Sequence, residues 1–277
     1  MHHMRKTHLY RFAFALFLCM LVSTCIMKTD ENIRFALIPN GDIPQELQYD
    51  SPAAALSEEE LALMERDRFF LDPELFDNNN IIAYYGHPRS KIMGIIGRHS
   101  KEELYKLLVD EAAHYDAVNG EKGVVLAYYV IYGTCQPKGN IGRINSELLD
   151  SYINFCLENN MLIYIDHQIG KYAPREALKE ILPYLKYPNV HLAIDVEWRT
   201  TRPMKEVGYI TAEELNELQA LMRKYMIDNS IQGKRQLVFH QFKEQMVRGI
   251  SQVRAEYVPV VLVHSTSGWG SPSLKLS

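Results

Sequence analysis

The chain has only four cysteines and two tryptophans in 277 residues, and no long run of Lys or Arg. With a formal net charge of −4 it lacks the basic stripe that a phosphate backbone demands, which argues against a nucleic-acid partner. The cysteine spacing matches neither a zinc site nor a disulfide framework. Cys19 lies inside an apolar N-terminal segment, Cys135 follows a strand and Cys156 falls within a helix, and the last two read as buried or free thiols. A Gly-rich phosphate loop is also missing. The first strand of the regular region runs into Gly86-His87-Pro88-Arg89-Ser90, not into the glycine pattern with which an open doubly wound sheet seats a dinucleotide.

What is present begins with an export signal. Arg5, Lys6 and Arg11 form a basic n-region, and an apolar run follows from Phe12 to Val22. That run is too short to span a ~30 Å hydrocarbon core and suits a signal-peptide h-region. Leu21-Val22-Ser23-Thr24-Cys25 resembles a bacterial lipobox, with Thr24 where a smaller residue is usual. The expectation is a signal peptide over residues 1–25, lipidation at Cys25 and a membrane-anchored lipoprotein of the bacterial envelope. Residues 26–80 read as a polar tether followed by a short helix opened by Ser57-Glu58-Glu59-Glu60 and running to about Phe70.

From residue 81 to 277 the pattern is regular. Apolar and β-branched runs at Ile81–His87, Gly123–Tyr132, Met161–Gln168, Val190–Trp198, Arg235–Phe242 and Val258–His264 predict six strands. Capped amphipathic segments lie between them, starting at Ser100, Asn145, Pro174 and Thr211, with a fifth and weaker helix over Glu244–Tyr257. Such alternation implies a parallel sheet covered by helices. Polar residues gather at the strand C-termini, which favours an α/β fold of (β/α) TIM-barrel type. A complete barrel has eight strands, so six point to a barrel incomplete at its C-terminal side.

Period-two counting selects the polar groups that share a strand face. It predicts that Tyr85, His87, Asp166, Asp195, Glu197, His240 and His264 surround one mouth. Asp195 and Glu197 are the most informative pair, because two carboxylates at i and i+2 of an apolar strand share one side and push each other's pKa values apart. Their alternative reading is an ion pair with Arg199 or Arg202. Asp166 shares that face, while His167 is expected among the helices as a structural hydrogen-bonding group. Trp198, Trp269 and the tyrosines 84, 85, 128, 129 and 132 complete an aromatic rim that suits sugar rings, with Gln241 as a polar substrate contact.

At these residues the chain resembles a group of secreted or lipidated bacterial proteins of glycoside-hydrolase-like TIM-barrel fold. The resemblance rests on Tyr84-Tyr85-Gly86-His87-Pro88, on Asp195-Val196-Glu197-Trp198 and on His240-Gln241-Phe242, over residues 81–264. The chain departs from the group at Val196, where the group has Pro, and it stops where such proteins continue. The resemblance implies fold and site location and brings no reaction with it. The chemistry expected of the residues themselves is glycoside hydrolysis on carbohydrate without a cofactor, with Glu197 as acid and Asp195 or Asp166 as base or nucleophile, supported by His240. A metal-dependent phosphodiesterase of glycerophosphodiesterase type, with Asp195, Glu197, His87 and His240 around a divalent ion, is the alternative. A carbohydrate-binding lipoprotein without catalysis is the third reading.

Overall fold

Three neighbouring β-strands are buried along their whole length, and they set the position of everything else. The computed structural model describes residues 57–266; the expected signal peptide, Cys25 and Trp269 lie outside the described residues. Helix α1 (Glu58–Leu71) and the single turn α2 (Leu75–Asn78) precede β1 (Asn79–Gly86). There follow α3 (Lys101–Asp116), β2 (Gly123–Cys135), a short β3 (Ile141–Arg143) and α4 (Ser146–Glu158). Next come β4 (Leu162–Gln168), α5 (Pro174–Ile181), β5 (Val190–Asp195), β6 (Ile210–Thr211) and α6 (Ala212–Asp228). The described part ends with β7 (Arg235–His240), β8 (Val247–Arg248) and β9 (Val260–Ser265).

The main sheet runs β1-β2-β4-β5-β7-β9, all parallel, with β3 added antiparallel to the end of β2. The order follows the sequence, as it does in a barrel wall. Among the described residues β1 and β9 pair with no further strand on their outer sides, so the sheet is a curled half-barrel with two free edges. The edges differ from the middle accordingly. Every residue of β4, β5 and β7 is buried, whereas Ala83 and Tyr85 on β1 and His264 on β9 are exposed.

Two apolar layers hold the sheet. On its outer face Ile163, Ile165, Leu192, Ile194, Leu237 and Phe239 pack against Leu149, Ile153, Leu178, Leu218 and Met222 of the helices. Inside the curl Val125, Ala127, Leu162, Tyr164, Ala193 and Val238 meet Phe70 and Leu75, with Phe69 and Phe76 beside them. Thus α1 and α2 plug the N-terminal end of the concave face, each large side chain contributing ~1.5–3 kcal/mol of burial. The helices start where their side chains satisfy free amides. Ser100 and Glu103 form a reciprocal capping box on α3 (3.2 and 3.0 Å), as do Thr211 and Glu214 on α6 (3.1 and 3.0 Å).

Three local expectations are corrected. The fifth helix, Glu244–Tyr257, is absent: the segment forms short 3-10 turns around β8, because Gly249 adopts a left-handed φ of 72° that stops a helix. The helix opened by Pro174 gives way at Leu182 to a 3-10 turn through Lys186, since Pro183 has no amide to donate. The fourth strand in the sequence reading, Val190–Trp198, ends at Asp195 as β5, and Val196–Trp198 is a 3-10 turn.

Candidate active site

Asp166 is the next-to-last inward residue of β4, and Asp195 is the last residue of β5. The register pairs Gln168 with Asp195 and Asp166 with Ala193, so the two aspartates occupy neighbouring strands one inward position apart. Both are buried, at 0% and 1% exposure. Glu197 reaches the same region from the 3-10 turn rather than from the strand, and is slightly more open at 8%. The expected i, i+2 strand geometry therefore does not apply, because the backbone turns at Val196. Electrostatic proximity survives: Asp166 and Glu197 are the two charges that raise the Asp195 pKa.

The surroundings are polar but supply little positive charge. Tyr85 donates its hydroxyl to Asp166 Oδ2 at 3.3 Å. Gln168 accepts from the Cys135 amide at 2.6 Å and uses its side chain to hydrogen-bond Asp195. One oxygen of Asp166 and one of Asp195 have no hydrogen-bond partner among the described residues. Burial pushes the Asp195 carboxyl well above the usual carboxylate range, and the charges of Asp166 and Glu197 push it further. Asp166 is raised too, chiefly by burial, with His240, His167 and the Tyr85 hydroxyl pulling the other way. Coupled carboxylates of this kind retain a proton at pH values where a lone carboxylate has lost it. Neither arginine proposed as an ion-pair partner is committed here: Arg199 binds Glu214 at 2.7 Å, and Arg202 binds Glu206.

An aromatic ladder lines the concave face beside the carboxylates. Tyr85 lies 5.4 Å from Tyr129, which stacks on Tyr164 at 5.2 Å and 12°. The Tyr129 hydroxyl pairs with His240 Nε2 at 2.8 Å, so His240 is held at the end of β7 facing inward. Deeper, Tyr164 donates to Gln236 at 2.5 Å, and the Gln236 amide donates to His191 Nδ1 at 3.0 Å. Tyr85 is 37% exposed and is the most open ring of the ladder; Tyr129 is half-buried and Tyr164 buried.

Several expected members lie elsewhere. His264 is on the opposite face of β9, stacked on Phe239 at 4.9 Å and exposed, and the inward residues of β9 are Val261, Val263 and Ser265. Val260-Val261-Leu262-Val263 is apolar on both faces, which leaves period-two counting with no signal. Tyr84, Tyr128 and Tyr132 face the helix side; the Tyr128 hydroxyl donates to the Lys101 carbonyl at 2.7 Å, and Tyr132 lies against His167 and Tyr184. His87 sits past the end of β1, where its Nδ1 accepts from the Arg89 amide at 3.1 Å. Burial and the Arg89 charge lower its pKa, and no carboxylate raises it. Gln241 turns to the Glu244 carbonyl at 3.2 Å. Trp198 is half-buried, and its carbonyl receives the Gly170 amide at 2.9 Å. His167 joins the helix layer as expected, with Nε2 3.1 Å from Glu180. Cys135 and Cys156 are buried free thiols.

Among the described residues no three His, Cys, Asp or Glu side chains are arranged to hold a metal ion. His87 and His240, the imidazoles that a divalent site would need, face separate partners.

No known family model and no curated protein matches the chain. Among solved structures it is similar to a GH5-4 broad specificity endoglucanase from Clostridum cellulovorans, at 12% identity and a TM-score of 0.39. That alignment covers 75% of this chain and 66% of the other, so the chain spans about two thirds of that protein's length.

Proposed function

We propose that the chain is a glycoside-hydrolase-like enzyme that acts on carbohydrate through Glu197, Asp195 and Asp166. The observation that carries this reading is the cluster itself: three buried carboxylates at the C-terminal ends of β4 and β5, of which Asp166 and Asp195 make no ion pair among the described residues and have raised pKa. A cluster that retains one proton holds an acid and a base side by side, which is what cleavage of a glycosidic bond requires. Glu197 is the most accessible member and is the group assigned to the glycosidic oxygen. It delivers the one proton that the coupled cluster retains as the C–O bond breaks, and Asp195 or Asp166, ionised once that proton has been passed on, acts as base or nucleophile. The exposed ring of Tyr85 is the sugar platform nearest to them.

The test is reducing-end release from a panel of oligo- and polysaccharides by the purified chain. Wild type is expected to hydrolyse at least one, and Glu197→Gln and Asp195→Asn each to lose ~10²–10⁴-fold. Unchanged rates in both variants, or no hydrolysis by wild type across the panel, would reject the assignment. The phosphodiesterase reading is less favoured, since His87 turns to the Arg89 amide and, among the described residues, no three candidate ligands are arranged around an ion.

The same proposal places the protein outside the cytoplasm as a lipoprotein, on the sequence Arg5–Cys25. The likeness to secreted bacterial barrel proteins at Tyr84–Pro88, Asp195–Trp198 and His240–Phe242 belongs with it. Among the described residues no helix is long and apolar enough to cross a membrane. Labelling cells with a palmitate analogue is expected to mark wild type and leave Cys25→Ser unmarked; equal labelling of the two removes the lipid anchor.

A further inference from the structure

A groove of about 740 Å³ opens among the loops that follow β4 and β5, with β8 at its side. None of the three carboxylates lines it. It lies at the same end of the sheet, since its wall residue Gly208 donates its amide to the Glu197 carbonyl at 2.7 Å. Its walls carry Lys171, Arg199 and Arg248, with Glu206 as the acidic member. In a chain with net charge −4 this is a local reversal of sign.

The three cations are not equivalent. Arg199 is committed to Glu214, and Glu206 is committed to Arg202 and to the Thr200 hydroxyl at 3.0 Å. Lys171 has only the neutral Asn140 carboxamide as partner, at 2.7 Å. Arg248 makes no ion pair and no side-chain hydrogen bond among the described residues. Its guanidinium lies over the Tyr209 ring, 3.4 Å from the centroid. A guanidinium held against an aromatic ring keeps its N–H donors available, and arginine takes a carboxylate through two parallel hydrogen bonds. Lys171 lies 5.6 Å from the centroid of Tyr172, itself 39% exposed, which puts a second cation against a second aromatic wall.

We propose that this groove binds the carboxylate of an acidic saccharide, with Arg248 as the bidentate contact, Lys171 as the second positive charge and Tyr172 as a face for the sugar ring. The proposal rests on the hydrolase reading for its substrate class and adds that the glycan is a uronate. An acidic glycan would bind in the groove through its charge while a neighbouring residue reaches the carboxylates.

Calorimetric titration of the full chain at low ionic strength with trigalacturonate, and separately with a glucuronate trisaccharide, tests it. The methyl ester of each removes the charge and keeps the ring. Wild type is expected to bind at least one acid form about tenfold or more tighter than its ester, and added salt should weaken that binding. Arg248→Gln and Lys171→Gln, both at exposed side chains, are each expected to lose about tenfold while melting as wild type does. Equal affinity for acid and ester, undiminished binding by Arg248→Gln, or no binding of either acid trisaccharide would overturn the proposal. A failed hydrolase reading looks different: acid-selective binding persists, and no glycan is cleaved.

Discussion

Asp166 and His167 are neighbours on β4, yet they belong to regions with opposite electrostatics. On the outer face His167 meets Glu180, and Arg143 grips the same carboxylate with two hydrogen bonds of 2.6 Å. Arg143, and then His167, hold the Glu180 carboxyl below its ordinary range. On the inner face Asp166 and Asp195 have each other and Glu197 for company, and their carboxyls are driven up. The same chemical group thus serves two ends. A carboxylate with cationic partners stabilises the fold, and one buried among like charges opposes it.

The largest effect separating the two faces is expected from apolar deletion. Leu192 is fully buried in the outer layer, one strand position from the inward-facing residues. Leu192→Ala should cost ~2–5 kcal/mol in chemical denaturation, far more than any neutralisation on the inner face. A loss under ~1 kcal/mol would mean that the outer layer is loosely packed.

A second comparison uses pH. A raised carboxyl binds its proton more tightly when folded, so Asp195 makes wild type lose stability as pH rises from the unfolded carboxylate value, about 4, through the folded pKa. Glu180 does the reverse: its contribution is full above the unfolded value and is lost as pH falls through its depressed folded pKa. Urea midpoints over roughly pH 3–7 should therefore show the wild-type advantage over Asp195→Asn shrinking with rising pH, and the advantage over Glu180→Gln growing. Parallel slopes would erase the distinction. The smallest effect belongs to Glu180→Gln at neutral pH. The ion pair is about a third exposed, so its loss should cost ~1 kcal/mol or less.

Much of this arrangement was legible in the sequence where one face differs from the other. The six parallel strands and the capped helices announce themselves through apolar runs and Ser/Thr-x-x-Glu boxes. Asp166, Asp195 and His240 stand out because each ends a run of apolar residues. The reading failed where local pattern is mute. Val260–Val263 gave no parity, so His264 was placed on the wrong face. Ile131 and Gly133 carry a register shift that lets β2 continue to Cys135 and pair with β3, a continuation hidden by the turn-like Gly133-Thr134. Gln168, which links Cys135 to Asp195, could have been found from its i+2 spacing to Asp166. The groove could not, because Lys171 and Tyr209 come from two separate loops and Arg248 from the short strand β8, and they form no motif.

The central claim is that Asp195 is buried against like charge and is not half of a structural ion pair. Thermal unfolding of Asp195→Asn at neutral pH tests it most directly. Removing a charge that repels its neighbours should leave the protein melting at or above the wild-type temperature. A structural partner would instead be stranded in the interior, and a loss of ~3–5 kcal/mol would contradict the account.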